Sequence, residues 1–275
     1  EFARVNRRMH NKSFTADNQV TVVGGRNIGN EYFGAGSGVV FADLDVAVIG
    51  AVVPEVSREF DLYWNSPSAY PAAAFVGTAG ADDVRDMQAT FATTRTSPEA
   101  AAYLEAVRAS PLVARLLERS VAFEWTGARV YHDDPAKTLD ADERIDDLLF
   151  PKLLEAMGRP QQRLDLVSPY FVPGDAGTAL LVAAAGRGVR VRILTNSLAS
   201  SDEPAVHAGY AKRREDLLRA GVRLYELKPT AAMEGRAKQD GFEPKGSAGL
   251  HAKTFAVDGA RIFVGSFNMD QRSVH

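Results

Sequence analysis

The 275 residues are 45% hydrophobic and 24% charged, with a formal net charge of −3 and no cysteine. That length suits one large domain or two ordinary ones with a buried core, and the apolar share argues against a disordered chain. The charge balance disfavours a dedicated nucleic-acid binder, the absence of cysteine excludes disulfides and thiolate metal sites, and no run approaches the roughly 18 apolar residues of a membrane-spanning helix.

Near the front, RMHNKSFTADNQVTVVGGRN (8–27) sets polar residues beside a strand-like apolar run. FADLDVAVIGAVV (41–53) reads as a strand. Residues 81–119 carry helical periodicity broken near Pro98 and Pro111, and VAFEWTGARVYHD (121–133) alternates as a strand does. Further on, 164–168 reads as a short buried strand, 175–187 as a helix stopped by Gly188, 189–195 as a strand, 205–221 as a helix with a glycine stop, and 222–227 as a strand. Strands alternating with helices predict an α/β layer fold with a largely parallel sheet. The stretch 228–249, rich in Gly, Lys and Ala, reads as a long loop leading into a further strand.

That last strand opens a repeat of the first segment. His10, Lys12 and Asp17 match His251, Lys253 and Asp258. Six residues after each aspartate the chain resumes with Gly24-Gly25-Arg26-Asn27 or Gly265-Ser266-Phe267-Asn268, so histidine and asparagine are seventeen apart in both copies. Chance does not readily give two such matches. The second copy has a βαβαβ preamble. The first has nine residues before His10, and the chain stops seven residues after Asn268. If the copies belong to equivalent halves, the expectation is a piece of a longer two-lobed protein, cut at both ends.

Alternate residues of a strand share a face, so each histidine projects with its lysine. Two such pairs meeting about a pseudo-twofold axis would put two imidazoles and two ammonium groups in one cleft. That set suits phosphodiester transfer. One neutral imidazole attacks phosphorus and forms a phosphohistidine, and the other gives its proton to the leaving alkoxide. Lysines and asparagine amides hold the non-bridging oxygens. The chemistry asks for no metal or other cofactor, since the cations supply the electrostatic work.

The paired pattern H-x-K-x4-D-x6-G-G/S-x-N resembles the phospholipase D superfamily, whose hallmark is two "HKD" motifs. The flanks NRRMHNKSFTADNQVTVVGGRNIGNEYFG, FADLDVAVIGAVVPEVSREFDLYWNS, VYHDDPAK, LVSPYFVPG and LHAKTFAVDGARIFVGSFNMDQRS resemble bacterial cardiolipin synthases of the C type. The resemblance implies a two-lobed α/β/α sandwich, each lobe with a mixed, largely parallel sheet. Residues 1–150 would hold the C-terminal part of the first lobe with its motif and a helical insertion. Residues 151–275 would hold the second lobe, cut short at its C-terminal end. It implies a phosphatidyltransferase acting on phosphatidylglycerol and a second phospholipid, with phosphatidylethanolamine a candidate, at the membrane surface of a bacterial cell and without nucleic acid.

By that carry-over the catalytic set is His10, Lys12, Asp17, His251, Lys253 and Asp258, with His10 as nucleophile and the aspartates orienting or structural. Asn27, Asn268 and Ser266 would bind phosphate. Glu31, four residues past Asn27, is a candidate partner that orients a histidine. Two alternatives stay open: a phospholipase D or other phosphodiesterase or nuclease of the same mechanism, and a non-catalytic lipid-binding module.

Other polar residues have plainer readings. His132 and His207 lack a repeat partner and read as surface or structural. Asp43 and Asp45, alternating on one strand face, read as sheet-end residues, with a site-adjacent role the rival. Asp133-Asp134 before Pro135 reads as a turn. The cluster Lys212-Arg213-Arg214 reads as a solvated helix face rather than a lipid-headgroup site. Tyr63, Trp64 and Tyr70 fit a membrane interface or a loop packed on the core equally well.

Overall fold

The structure, a computed structural model, describes residues 9–34, 39–138, 148–230 and 247–270. It is a mixed α/β arrangement built on two main sheets. The larger has five strands in the order β10-β9-β5-β6-β7. Three of them, β5 (Arg163–Val167), β6 (Arg190–Asn196) and β7 (Arg223–Leu227), run parallel. The crossovers between them are α7 (Gly174–Gly186) and α8 (Pro204–Arg219). The hairpin β9 (Lys253–Val257) and β10 (Arg261–Gly265) joins antiparallel to β5. Leu164, Leu166, Val191, Ile193, Phe255 and Val257 alternate inward, against Leu181, Tyr210 and Leu217 of the two helices. This is the α/β pattern expected from 164–227, with boundaries within two residues.

The smaller sheet has the order β1-β2-β4. It is formed by β1 (Ser13–Ala16), β2 (Val20–Gly24) and β4 (Asp45–Ile49), all antiparallel. The β1–β2 and β9–β10 hairpins are alike in detail. Each turns on two residues of positive φ, Asp17 (51°) and Asn18 (53°) in one, Asp258 (54°) and Gly259 (69°) in the other. Asn, Asp and Gly tolerate that left-handed region best, so the motif aspartate doubles as a turn residue. β10 lies against β2 and β4, which brings the two hairpins together.

A third, two-stranded pairing connects the halves. β3 (Val40–Ala42) runs parallel to β8 (Ala248–Leu250), with Ala42 opposite Leu250. The expected single strand over 41–53 is therefore two strands, broken at Asp43-Leu44.

The chain then enters a helix that sequence periodicity did not single out, α2 (Val53–Trp64), with Pro54 in its first turn. Val53, Val56 and Tyr63 are its buried residues, and it packs on β1 and β2. Before it comes α1 (Asn30–Phe33), a single turn.

The helical stretch at 81–119 resolves into α3 (Ala81–Arg95), α4 (Pro98–Arg108) and α5 (Pro111–Leu117), each proline lying in a first turn. The strand expected at 121–133 is not formed. It pairs with no strand among the described residues, and Phe123 and Trp125 are exposed. A last helix, α6 (Leu149–Met157), leads into β5. Most of the loop expected at 228–249, and His275, lie outside the described residues. Among the described residues no helix is long and apolar enough to cross a membrane.

Candidate active site

The two histidine–lysine pairs converge where β10 meets the smaller sheet. His10 and Lys12 immediately precede β1, while His251 precedes β9 and Lys253 opens it. In both copies the lysine Nζ donates to the carbonyl oxygen of its own histidine, at 2.9 Å for Lys12. The positive charge of Lys12 is felt at Lys253, which is 1% exposed. Burial first, and then repulsion from Lys12, bring the Lys253 ammonium down to about 7. The nearby Asp43, Asp202 and Asp270 carboxylates pull the other way.

Each imidazole is held by its Nδ1. His10 Nδ1 lies 3.0 Å from the Ser266 carbonyl oxygen. A carbonyl only accepts, so Nδ1 carries the proton and Nε2 keeps a lone pair in the neutral ring. His251 Nδ1 lies 2.6 Å from Asp43 Oδ2, in a pair with side-chain exposures of 9% and 0%. Burial alone would push the Asp43 carboxyl up. The hydrogen bond from His251, the Leu44 amide and the Lys253 charge outweigh it and hold the group below the usual carboxylate range. Asp43 is therefore the acceptor, which places a proton on His251 Nδ1.

The β3–β8 pairing explains this contact. With Ala42 opposite Leu250, and the Ala42 carbonyl accepting from the His251 and Ala252 amides, the next residues Asp43 and His251 emerge side by side. Asn196 fixes the other side, its side chain both accepting from Leu250 N–H and donating to Leu250 C=O. Tyr32 and Phe41 wall the His251 ring, with centroids at 4.9 and 5.3 Å. The doubled glycine has a local cause as well: a Cβ at Gly25 would collide with Asp43 Oδ1.

The remaining expected residues are placed as follows. The Ser266 contribution is its carbonyl, offered to His10. Asn27 donates to the Tyr32 hydroxyl at 2.7 Å. Asn268 is buried, and its Oδ1 has no hydrogen-bond partner among the described residues. Asp17 and Asp258 sit in the turns, five residues beyond Lys12 and Lys253, about 16 Å of strand away. That distance separates both carboxylates from the lysines of their own motifs. Asp258 accepts from the Gln161, Gln162 and Arg163 amides, which hold its carboxyl below the usual range. Glu31, expected to orient a histidine, is exposed on α1; the carboxylate on His251 is that of Asp43.

Asp43 and Asn196 are the residues that sequence reasoning missed or undervalued. Asp202 is another: it takes a 2.7 Å hydrogen bond from Tyr170, and its charge is felt at Lys253 and Tyr32.

The other polar and aromatic residues singled out in the sequence are placed as follows. His132 pairs with Glu59 at 2.5 Å, and His207 lies edge-on to Tyr210. Arg213 pairs with Asp175 and Arg214 with Glu226. Tyr63 is buried, while Trp64 and Tyr70 are exposed.

Residues 153–275 match the family model described as "Cardiolipin synthase, PLD-like domain". Over 273 residues the chain is 44% identical to cardiolipin synthase C of Escherichia coli (strain K12), covering 99% of this chain and 57% of that protein. The chain is thus similar to cardiolipin synthases, and its residues 153–275 to their PLD-like domain.

Cardiolipin synthase A of Pseudomonas syringae pv. syringae (strain B728a) is 28% identical over 273 residues, 98% of this chain and 42% of that protein. The chain thus spans about half the length of the curated relatives it matches. The crystal structure of phosphatidylserine synthase from Haemophilus influenzae Rd KW20 superposes with a TM-score of 0.52 at 14% identity, over 97% of this chain and 55% of that one. At that identity the likeness is one of fold. It agrees with the mixed α/β arrangement expected for a phospholipase D-like chain.

Proposed function

We propose that the protein to which this chain belongs makes cardiolipin by moving a phosphatidyl group from one phospholipid to the hydroxyl of phosphatidylglycerol. The observation that carries the reading is the pairing of the two imidazoles. His10 Nδ1 faces a neutral carbonyl and His251 Nδ1 faces a buried carboxylate, beside two lysines. The similarity to cardiolipin synthases supplies the lipid. In this proposal residues 1–150 and 151–275 belong to two lobes of an α/β/α sandwich, and the site lies between them.

The partners set the roles. A neutral imidazole is a nucleophile, and His10 Nδ1, set on a carbonyl oxygen, leaves the Nε2 lone pair to attack. His251, with a carboxylate behind it, suits the acid. In the first step His10 Nε2 attacks phosphorus, the bond to the leaving oxygen breaks, and the His251 Nε2 proton goes to that oxygen. In the second step neutral His251 takes the proton of the acceptor hydroxyl. Its oxygen then attacks phosphorus, the P–N bond breaks, and both histidines return to their starting states.

Lys12 and Lys253 leave their histidine carbonyls to hold the non-bridging oxygens, aided by Asn27 and Asn268. An anionic phosphate favours the charged form of Lys253, which burial alone disfavours. The scheme needs no cofactor. The substrates place the protein at a bacterial membrane surface, as a peripheral partner of the lipid.

The test is a lipid assay on the full-length parent, with phosphatidylglycerol alone and with phosphatidylethanolamine, read by mass spectrometry. Cardiolipin that vanishes in both His10→Ala and His251→Ala is the expected result. Phosphatidic acid as the sole product would make it a hydrolase of the same mechanism. No lipid turnover, with cleavage of a simple diester or DNA, would overturn the lipid reading.

A further inference from the structure

The VYHDD stretch lies outside the chemistry above, yet contacts through it close a ring on the first histidine. Tyr63 of α2 is buried, and the side chain of Asn11, the residue between His10 and Lys12, lies near enough to offset part of the upward push that burial gives its hydroxyl. The same hydroxyl donates to the Asp133 carbonyl at 3.0 Å. The Asp133 side chain, also buried, pairs with Lys137 and accepts from the Leu149 amide at 2.6 Å, fixing the start of α6. The next residue, Phe150, stacks on Phe267 with ring centroids 5.7 Å apart and planes at 14°. Phe267 follows Ser266, whose carbonyl receives His10 Nδ1–H.

We propose that Tyr63 and Asp133 are positioning residues that hold the Ser266 carbonyl against His10 through the start of α6 and the Phe150–Phe267 stack. Phe267, the neighbour of Ser266, fixes that carbonyl from outside the His10 contact. The two residues in the His10–Ser266 contact come from opposite ends of the chain, 256 positions apart. Their register is fixed only as well as the elements behind them are. The Nδ1–H···O=C bond selects the tautomer with its lone pair on Nε2, so the ring selects the attacking atom.

The consequence for rate rests on His10 being the nucleophile, as proposed above, but the first readout needs no lipid turnover. Long-range ¹⁵N–¹H correlation on this chain reports the tautomer of each histidine. In the wild type His10 is expected as the Nδ1–H form. Tyr63→Phe keeps the ring and removes the hydroxyl. It is expected to move His10 toward a mixture of tautomers while the His251 signals stay in place. Phe150→Leu breaks the other arm of the ring and is expected to do the same.

Tyr210→Phe removes a hydroxyl that donates to Glu226 at 3.1 Å, outside the ring, and is expected to lower Tm while leaving His10 unchanged. In the full-length parent, Tyr63→Phe should lower kcat about tenfold at unchanged KM, the scale of a small misplacement of a reacting group. A wild-type His10 signal in both Tyr63→Phe and Phe150→Leu would overturn the inference. An equal shift in Tyr210→Phe would also overturn it, by showing general loosening. Absence of lipid turnover in the parent would overturn the proposed function and leave the tautomer result to judge this inference.

Discussion

Asp43→Asn removes the charge behind His251 while keeping the size of the side chain. The contact is a 2.6 Å hydrogen bond between a carboxylate without solvent exposure and an imidazole that is 9% exposed. A hydrogen bond to a charged group contributes about 1.5–3 kcal/mol. At roughly 1.4 kcal/mol per factor of ten, its loss should slow a step that needs imidazolium by about 10- to 100-fold. The assay is a pre-steady-state burst with two phosphatidyl donors in the full-length parent. One leaves as an ordinary alkoxide and must be protonated. The other carries a nitrophenyl group that departs unaided. Asp43→Asn should slow the burst with the first and nearly spare it with the second, because only the first uses the acid. An equal loss on both would refute the assignment of His251 as acid and Asp43 as the group that stabilises its charge.

Three further outcomes follow from the geometry. Lys253→Met should stabilise the chain, and more at pH 6 than at pH 10. The folded-state value for Lys253, about 7, lies below the ordinary 10.5, so folding releases protons between those limits and wild-type stability rises with pH across them. Thermal melts across that range check the slope, and the same variant should lose binding of anionic substrate.

Asp258→Asn should lower Tm near neutral pH with little change in the site. A carboxylate depressed by three backbone amides contributes stability above its unfolded value, near 4, and loses it as pH falls through the folded one. The melting points of variant and wild type should therefore converge in acid. Asn196→Ala strands the buried Leu250 N–H and C=O, and should cost about 2–4 kcal/mol in urea unfolding at unchanged m.

Much of this was legible in the sequence because its signals are local. The repeat of histidine, lysine, aspartate and asparagine at fixed spacing located both hairpins, and the structure shows why the spacing recurs: strand, two-residue left-handed turn, strand. Around 164–227, period-two apolar runs and glycine stops gave the elements of the larger sheet.

What escaped was set by contacts between distant segments. Asp43 lies 208 positions from His251, and only the pairing of β3 with β8 joins them. Its alternation with Asp45 pointed to a sheet end, and that pattern cannot reveal which strand ends beside it. The false strand at 121–133 is the converse. A strand needs a neighbour, and none is supplied among the described residues. Helix α2 had a readable start in Pro54, which the apolar run before it obscured. The motif aspartates show the limit of spacing in another way: equal placement in both copies marks a shared turn as readily as a shared chemical role.

The most direct test of the two-histidine account is to find where the phosphoryl group rests. The full-length parent, mixed with lipid labelled in the phosphate, is quenched within the first turnover and digested, and the labelled peptide is sequenced. Label on His10, absent in His10→Ala and accumulating when the acceptor hydroxyl is withheld, is the predicted result. Label on His251, or no covalent label while cardiolipin is still formed, would contradict the account.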